Sequence, residues 1–173
     1  MIHMGSLHMA AGWARLIIGL FTIIFIAGCA NSTWAPAPLA LDSGHWQGRI
    51  SVKVASSPPQ SISAEFDLMG NAVAGRMDLS TPLGTILAQM RWSTQSAEVL
   101  SSGETRSYAS LADLTTATLG AELPVDALFQ WLQGEAAPAP GWQVDMTDWQ
   151  QGRISAQRTE HSPGVTLKIL LDR

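Results

Sequence analysis

The sequence predicts a mainly β domain, a curved antiparallel sheet of about eight strands with two helices covering its concave side. Three observations carry that expectation. Short segments alternate apolar and polar residues between Gly, Pro and Ser breaks, the period-2 signature of half-buried strands. Only two segments have helical character instead, and each stops at a glycine, Gly120 or Gly134. Those two helices carry too little apolar surface to form a core alone, so they are expected to close over the sheet.

In the first strand Trp46, Gly48, Ile50, Val52 and Val54 alternate with Gln47, Arg49, Ser51 and Lys53, and Pro58-Pro59 then turns the chain. Ile62, Ala64, Phe66 and Leu68 alternate with Ser63, Glu65 and Asp67 as far as the Gly70-Asn71 break. Val73 to Leu79 alternates again, with Arg76 and Asp78 outward. Thr81-Pro82-Leu83-Gly84 is a turn, because Pro presets φ and Gly permits a positive one. Ile86, Ala88, Met90 and Trp92 make the next strand, and Ala97 to Leu100 a weaker one before Ser101-Ser102-Gly103. Ser110 caps the first helix and Gly120 ends it. Pro124 suits the first turn of the second helix. There Val125, Leu128, Phe129 and Leu132 fall at i, i+3, i+4 and i+7, one apolar stripe that stops at Gly134. Three strands close the chain: Trp142 to Trp149, Arg153 to Arg158, and Val165 to Leu171. Neither an internal repeat nor a second domain is visible.

The N-terminus reads as an address. Arg15 precedes an uncharged apolar run over residues 16–28, shorter than the roughly 20 residues of a spanning helix and typical of a secretory signal. Ile26-Ala27-Gly28-Cys29 resembles a bacterial lipobox, and Cys29 is the chain's one cysteine. The expectation is cleavage between Gly28 and Cys29, with an S-diacylglycerol group and an N-acyl chain on Cys29. Two or three acyl chains anchor a protein firmly where one does so marginally. Ala30, in place of an inner-membrane retention Asp, points to the outer membrane. Residues 29–44 are the lipidated Cys and an Ala/Pro/Ser-rich tether, and 45–173 the folded domain.

Composition narrows the chemistry. A chain of 173 residues with net charge −4 offers no electrostatic footprint for nucleic acid. One Cys excludes an internal disulfide and a Cys-rich zinc site. After the signal, His45 and His161 remain, neither with a second ligand at metal spacing. Nucleophile-elbow, phosphate-loop and zinc-helix motifs are missing. Asp145 and Asp148 read as solvated surface, as do Glu65 and Asp67. No cofactor is expected beyond the lipid on Cys29, and an enzyme is the least favoured class. Trp46, Trp92, Trp142 and the Met residues at 69, 77, 90 and 146 are either core packing or the lining of a lipid-binding hollow; pattern alone leaves both open. Leu83 stands apart, a large aliphatic in a turn, where burial is scarce. It is either an ordinary exposed or half-tucked Leu or an apolar finger that touches membrane.

The ordered set Trp46-Gln47-Gly48-Arg49-Ile50-Ser51-Val52, Thr81-Pro82-Leu83-Gly84, Leu123-Pro124-Val125 with Leu128 and Trp131-Leu132-Gln133-Gly134, and Gly141-Trp142-Gln143-Val144 resembles the LolB family of outer-membrane lipoprotein receptors over residues 44–171. The resemblance implies an incomplete, half-open antiparallel β-barrel with a helical lid and a hydrophobic cavity. It implies a monomer, anchored in the outer membrane and facing the periplasm. This protein would take the acyl chains of lipoproteins from the periplasmic carrier LolA and insert them into the membrane. The membrane-insertion turn would be Pro82, Leu83 and Gly84. Candidate cavity residues are Ile50, Val52, Phe66, Met77, Met90, Trp92, Leu128 and Trp142. The alternatives are a lipid- or hydrophobic-ligand-binding lipoprotein without a LolA partner, and a structural lipoprotein with a solid core.

Overall fold

The computed structural model describes residues 44–158, 160 and 162–173. The expected signal segment, the Gly28–Cys29 junction, the tether as far as residue 43, and His161 lie outside them. The described elements are strands β1 (Gly44–Val54), β2 (Gln60–Gly70), β3 (Gly75–Ser80), β4 (Ile86–Trp92), β5 (Ala97–Ser101) and β6 (Glu104–Tyr108), and helices α1 (Leu111–Leu119) and α2 (Val125–Gln133). Strand β7 (Trp142–Asp145), a 3₁₀ turn (Trp149–Gln151), β8 (Arg153–Arg158) and β9 (Val165–Leu171) complete them.

The described strands form one antiparallel sheet in the order β6-β5-β4-β3-β2-β1-β9-β8-β7. Its edges, β6 and β7, do not pair with each other, so the sheet is an incomplete barrel rather than a closed one. The first and last described strands are neighbours in it: β1 pairs β9 from Gly48↔Leu171 to Val54↔Val165. Alternation decides which side is the core. Val52, Leu167 and Ala156 are buried side by side across β1, β9 and β8, and Phe66, Leu68, Met90 and Trp92 continue the same face through β2 and β4.

Three local outcomes differ from expectation, each for a physical reason. Strand β6, absent from the sequence reading, has residues Glu104 to Ser107 exposed. It therefore carries no apolar alternation and is held by backbone pairing with β5, across a turn at Ser102 (φ 54°) and Gly103 (φ 81°). The strand expected over Trp142–Trp149 stops at Asp145. Its Oδ1 accepts from the Thr147 N–H at 3.0 Å and turns the chain, so Asp148 sits outside the strand rather than on its opposite face. Val73 precedes β3 instead of opening it. Asn71 Oδ1 accepts from the N–H groups of Val73 and Ala74 at 2.9 and 3.0 Å, an Asx turn that leaves Val73 exposed.

Both helices have the ends their residues dictate. Ser110 Oγ accepts from Asp113 N–H at 3.0 Å at the start of α1, and Gly120 (φ 69°) closes it in the left-handed region. Helix α2 starts at Pro124 without a side-chain cap and ends at Gly134 (φ 96°). Its C-terminal half is pinned: Trp131 is fully buried and its Nε1–H donates to the Ala137 carbonyl at 2.8 Å. Trp131→Phe is expected to leave that carbonyl unpaired and cost about 1–3 kcal/mol. A urea midpoint lowered at unchanged slope would register it.

Candidate functional site: an apolar hollow and a protruding turn

Between the concave face and the two helices lies a hollow of about 70 Å³ with no polar surface exposed to it. The sheet contributes Ile50, Phe66, Leu68, Met77, Met90, Trp92 and Ile169, and α1 contributes Leu111 and Thr115. Leu123 leads into α2, which lays Val125, Leu128, Phe129 and Leu132 over the opening. Phe129 is the centre of this cover. Its ring meets Trp46 edge-on at 5.8 Å and lies 6.2 Å from Trp92, whose Nε1–H is held by the Asn71 carbonyl at 2.9 Å.

Of the candidate cavity residues, Ile50, Phe66, Met77, Met90, Trp92 and Leu128 surround the hollow. Val52 and Trp142 do not. Both point inward, but their places along the strands carry them past it. Val52 is buried opposite Leu167. Trp142, on β7, lies 6.4 Å from the Trp131 ring and 6.0 Å from the Arg158 guanidinium. Sequence reasoning missed Leu68, Leu111, Thr115, Leu123, Val125, Phe129, Leu132 and Ile169 as lining. The helical stripe that flagged Leu128 already contained Val125, Phe129 and Leu132. No local signal could have found Ile169, which reaches Ile50 only through the β1–β9 pairing.

The hollow offers apolar contact and nothing else. At about 70 Å³ it is far below the roughly 300–1,000 Å³ of sites that enclose an organic ligand. The uncapped N-terminal end of α2 lies over the hollow, and the Trp131–Ala137 bond fixes the other end.

The β3–β4 turn is built to project. Gly84 N–H donates to the Thr81 carbonyl at 2.8 Å, Thr81 N–H to Thr85 O at 2.9 Å, and Thr85 N–H to Thr81 Oγ1 at 3.2 Å. Gly84 takes φ 82°. Inside this hydrogen-bonded frame Leu83 is 95% exposed, and Ile86 and Leu87 at the foot of the turn are exposed as well.

The polar candidates do not converge on a common site. Asp145 and Asp148 are exposed, and hydrogen bonds from Thr147 hold the Asp145 carboxyl below its ordinary value. His45 Nε2 lies 3.0 Å from Asp67 Oδ1. Among the described residues no three His, Cys, Asp or Glu side chains gather where they could hold a metal ion.

The family model "Outer membrane lipoprotein LolB" matches residues 44–170, which take in both helices and the sheet except Leu171. A protein of Bordetella petrii named "Outer-membrane lipoprotein LolB" is 26% identical over 98% of each chain. One of the same name from Chromohalobacter salexigens is 30% identical over 84% of this chain and 74% of its own.

Proposed function

The chain belongs to the outer membrane lipoprotein LolB family, and from that premise we propose that it is a receptor and insertase for lipidated proteins. In this reading Cys29 carries the lipid that anchors the domain to the outer membrane. The domain faces the periplasm as a monomer, takes acyl chains from the carrier LolA into the apolar hollow, and releases them into the bilayer. It performs no bond chemistry. The observation that carries the reading is the pairing of a purely apolar interior hollow with a leucine 95% exposed on a braced turn.

Energetics set the order of events. Burying one CH₂ is worth about 0.8 kcal/mol, so a 16-carbon chain left in water costs on the order of 12 kcal/mol. The receiving hollow must therefore open against the donor before the chain leaves it. Opening separates Phe129 from Trp46 and Trp92, and the incoming chain replaces that apolar contact. With no nucleotide-binding motif in the sequence, the transfer runs downhill from carrier to receptor to bilayer. Leu83 contributes only about 1.5–3 kcal/mol on burial, too little to drive transfer and enough to open a point of entry in the lipid.

Purified LolA loaded with a radiolabelled lipoprotein is the test. Incubated with this protein and vesicles, the cargo is expected to move first to this protein and then to the vesicles. Cargo that stays on LolA would overturn the reading in favour of a lipid-binding lipoprotein with another donor.

A further inference from the structure

Strands β1, β9 and β8 carry the basic residues Arg49, Lys53, Lys168, Arg153 and Arg158 and no acidic residue, in a chain whose net charge is −4. The register puts four of these cations on one face. Arg49 stands opposite Leu170, which stands opposite Arg153; Ser51, Lys168 and Ser155 form the next row, and Lys53, Thr166 and Gln157 the third. Since side chains alternate, this is the outer face, opposite the one that buries Val52, Leu167 and Ala156. Arg49, Lys53, Lys168 and Arg153 are all exposed, and Leu170, in their midst, is 40% exposed. Arg153 has Asp148 at 3.8 Å. Among the described residues Arg49, Lys53 and Lys168 have no acidic partner within ion-pair distance. The acids nearest in register, Glu65 beside Arg49 and Asp145 beside Ser155, border the three strands and do not enter them.

This face lies beside the protruding turn. Glu65 pairs with both Arg49 and Ser80, so Arg49 is level with the foot of the turn. Strands β1 and β3 run in the same direction, so the chain from Arg49 to Lys53 extends the way the turn does. It does so about 10 Å to the side, two strand spacings away. A bilayer touching Leu83 is therefore within reach of Lys53 and Lys168. Exposed cations around a single exposed aliphatic match an anionic phospholipid surface, phosphates outside and hydrocarbon beneath.

We propose that the outer face of β1, β9 and β8 is a docking surface for anionic phospholipid headgroups, which seats the domain on the bilayer with Leu83 directed into it. The proposal rests on the receptor reading only in taking the bilayer as the destination. Lys53 and Lys168 are the chain's two lysines, so amine labelling mapped to those peptides reads this face alone. The purified full chain is labelled on phosphatidylcholine vesicles and on vesicles in which phosphatidylglycerol replaces part of the phosphatidylcholine. Labelling of both lysines is expected to slow severalfold on the anionic vesicles. It is expected to recover in about 0.5 M salt, where the Debye length shrinks to about 4 Å, and in the Arg49→Glu/Arg153→Glu variant. Equal labelling on the two vesicles overturns the proposal. Protection that needs LolA instead of anionic lipid also overturns it, by giving the face to a protein. Cargo delivery measured in the same vesicles keeps the two readings apart. Delivery with unprotected lysines defeats the docking face alone, and protected lysines without delivery defeat the receptor reading alone.

Discussion

Leu83→Glu is expected to leave the melting temperature where it is and to stop delivery of cargo into vesicles. The side chain is 95% exposed and its turn is held by backbone and Thr81 hydrogen bonds that the substitution does not touch. The stability change should stay within about 0.5 kcal/mol. Loss of the burial of one leucine in lipid, about 1.5–3 kcal/mol, corresponds to roughly a 10- to 150-fold slower entry step. The carboxylate adds a desolvation cost that pushes the effect to the upper end. Acceptance of cargo from LolA should be unchanged, because the hollow lies elsewhere. Leu83→Met should retain most delivery. A Leu83→Glu protein that delivers at the wild-type rate would remove the turn from the mechanism.

Gly48→Ala is expected to be strongly destabilising. Gly48 holds φ at +153°, and a Cβ there would collide with the Leu170 carbonyl oxygen and fall 2.9 Å from the Leu171 Cα. Both are backbone atoms of the neighbouring strand and cannot rotate away. The strained φ costs about 1–3 kcal/mol and the forced separation of the strands a similar amount. A fall in melting temperature on the order of 10 °C should follow. Gly84→Ala is the matched control. It shares a positive φ (82°), but nothing lies within 4 Å of the added Cβ, so it should cost only about 1 kcal/mol. Thermal unfolding of the two side by side separates crowding from backbone strain. If Gly48→Ala melts like Gly84→Ala, the β1–β9 joint is not as close as described. Ile50 and Ile169 line the hollow from that joint, so Gly48→Ala should also lose cargo acceptance.

Most of the sheet was legible because its signals are local. Trp46 to Val54 states its own strand, its own inward face and the breaks that follow. Thr81-Pro82-Leu83-Gly84 states its own turn, and the oddity of a leucine there was visible without coordinates. Strand β6 was illegible because an edge strand with both faces in water has no pattern to show. Asp145 ended β7 early through one side-chain hydrogen bond that alternation cannot report. Among the cavity candidates, alternation identified the inward face, but position along the strand separates Ile50, which lines the hollow, from Val52, which does not.

Sequence alone determined the class of the domain, a curved antiparallel sheet with two covering helices, and the turn that carries Leu83, because pleat, turn and helix stripe are short-range physics. Tertiary structure alone decided what those parts enclose. The long-range pairing of β1 with β9 brings Ile169 to Ile50 on one side and, on the other, Leu170 between Arg49 and Arg153 with Lys168 in the next row. The depth to which Phe129 sinks between two tryptophans reduces the hollow to about 70 Å³. Neither outcome can be read from neighbours in the chain, since each depends on at least one pair of residues more than about 80 positions apart packing into one place.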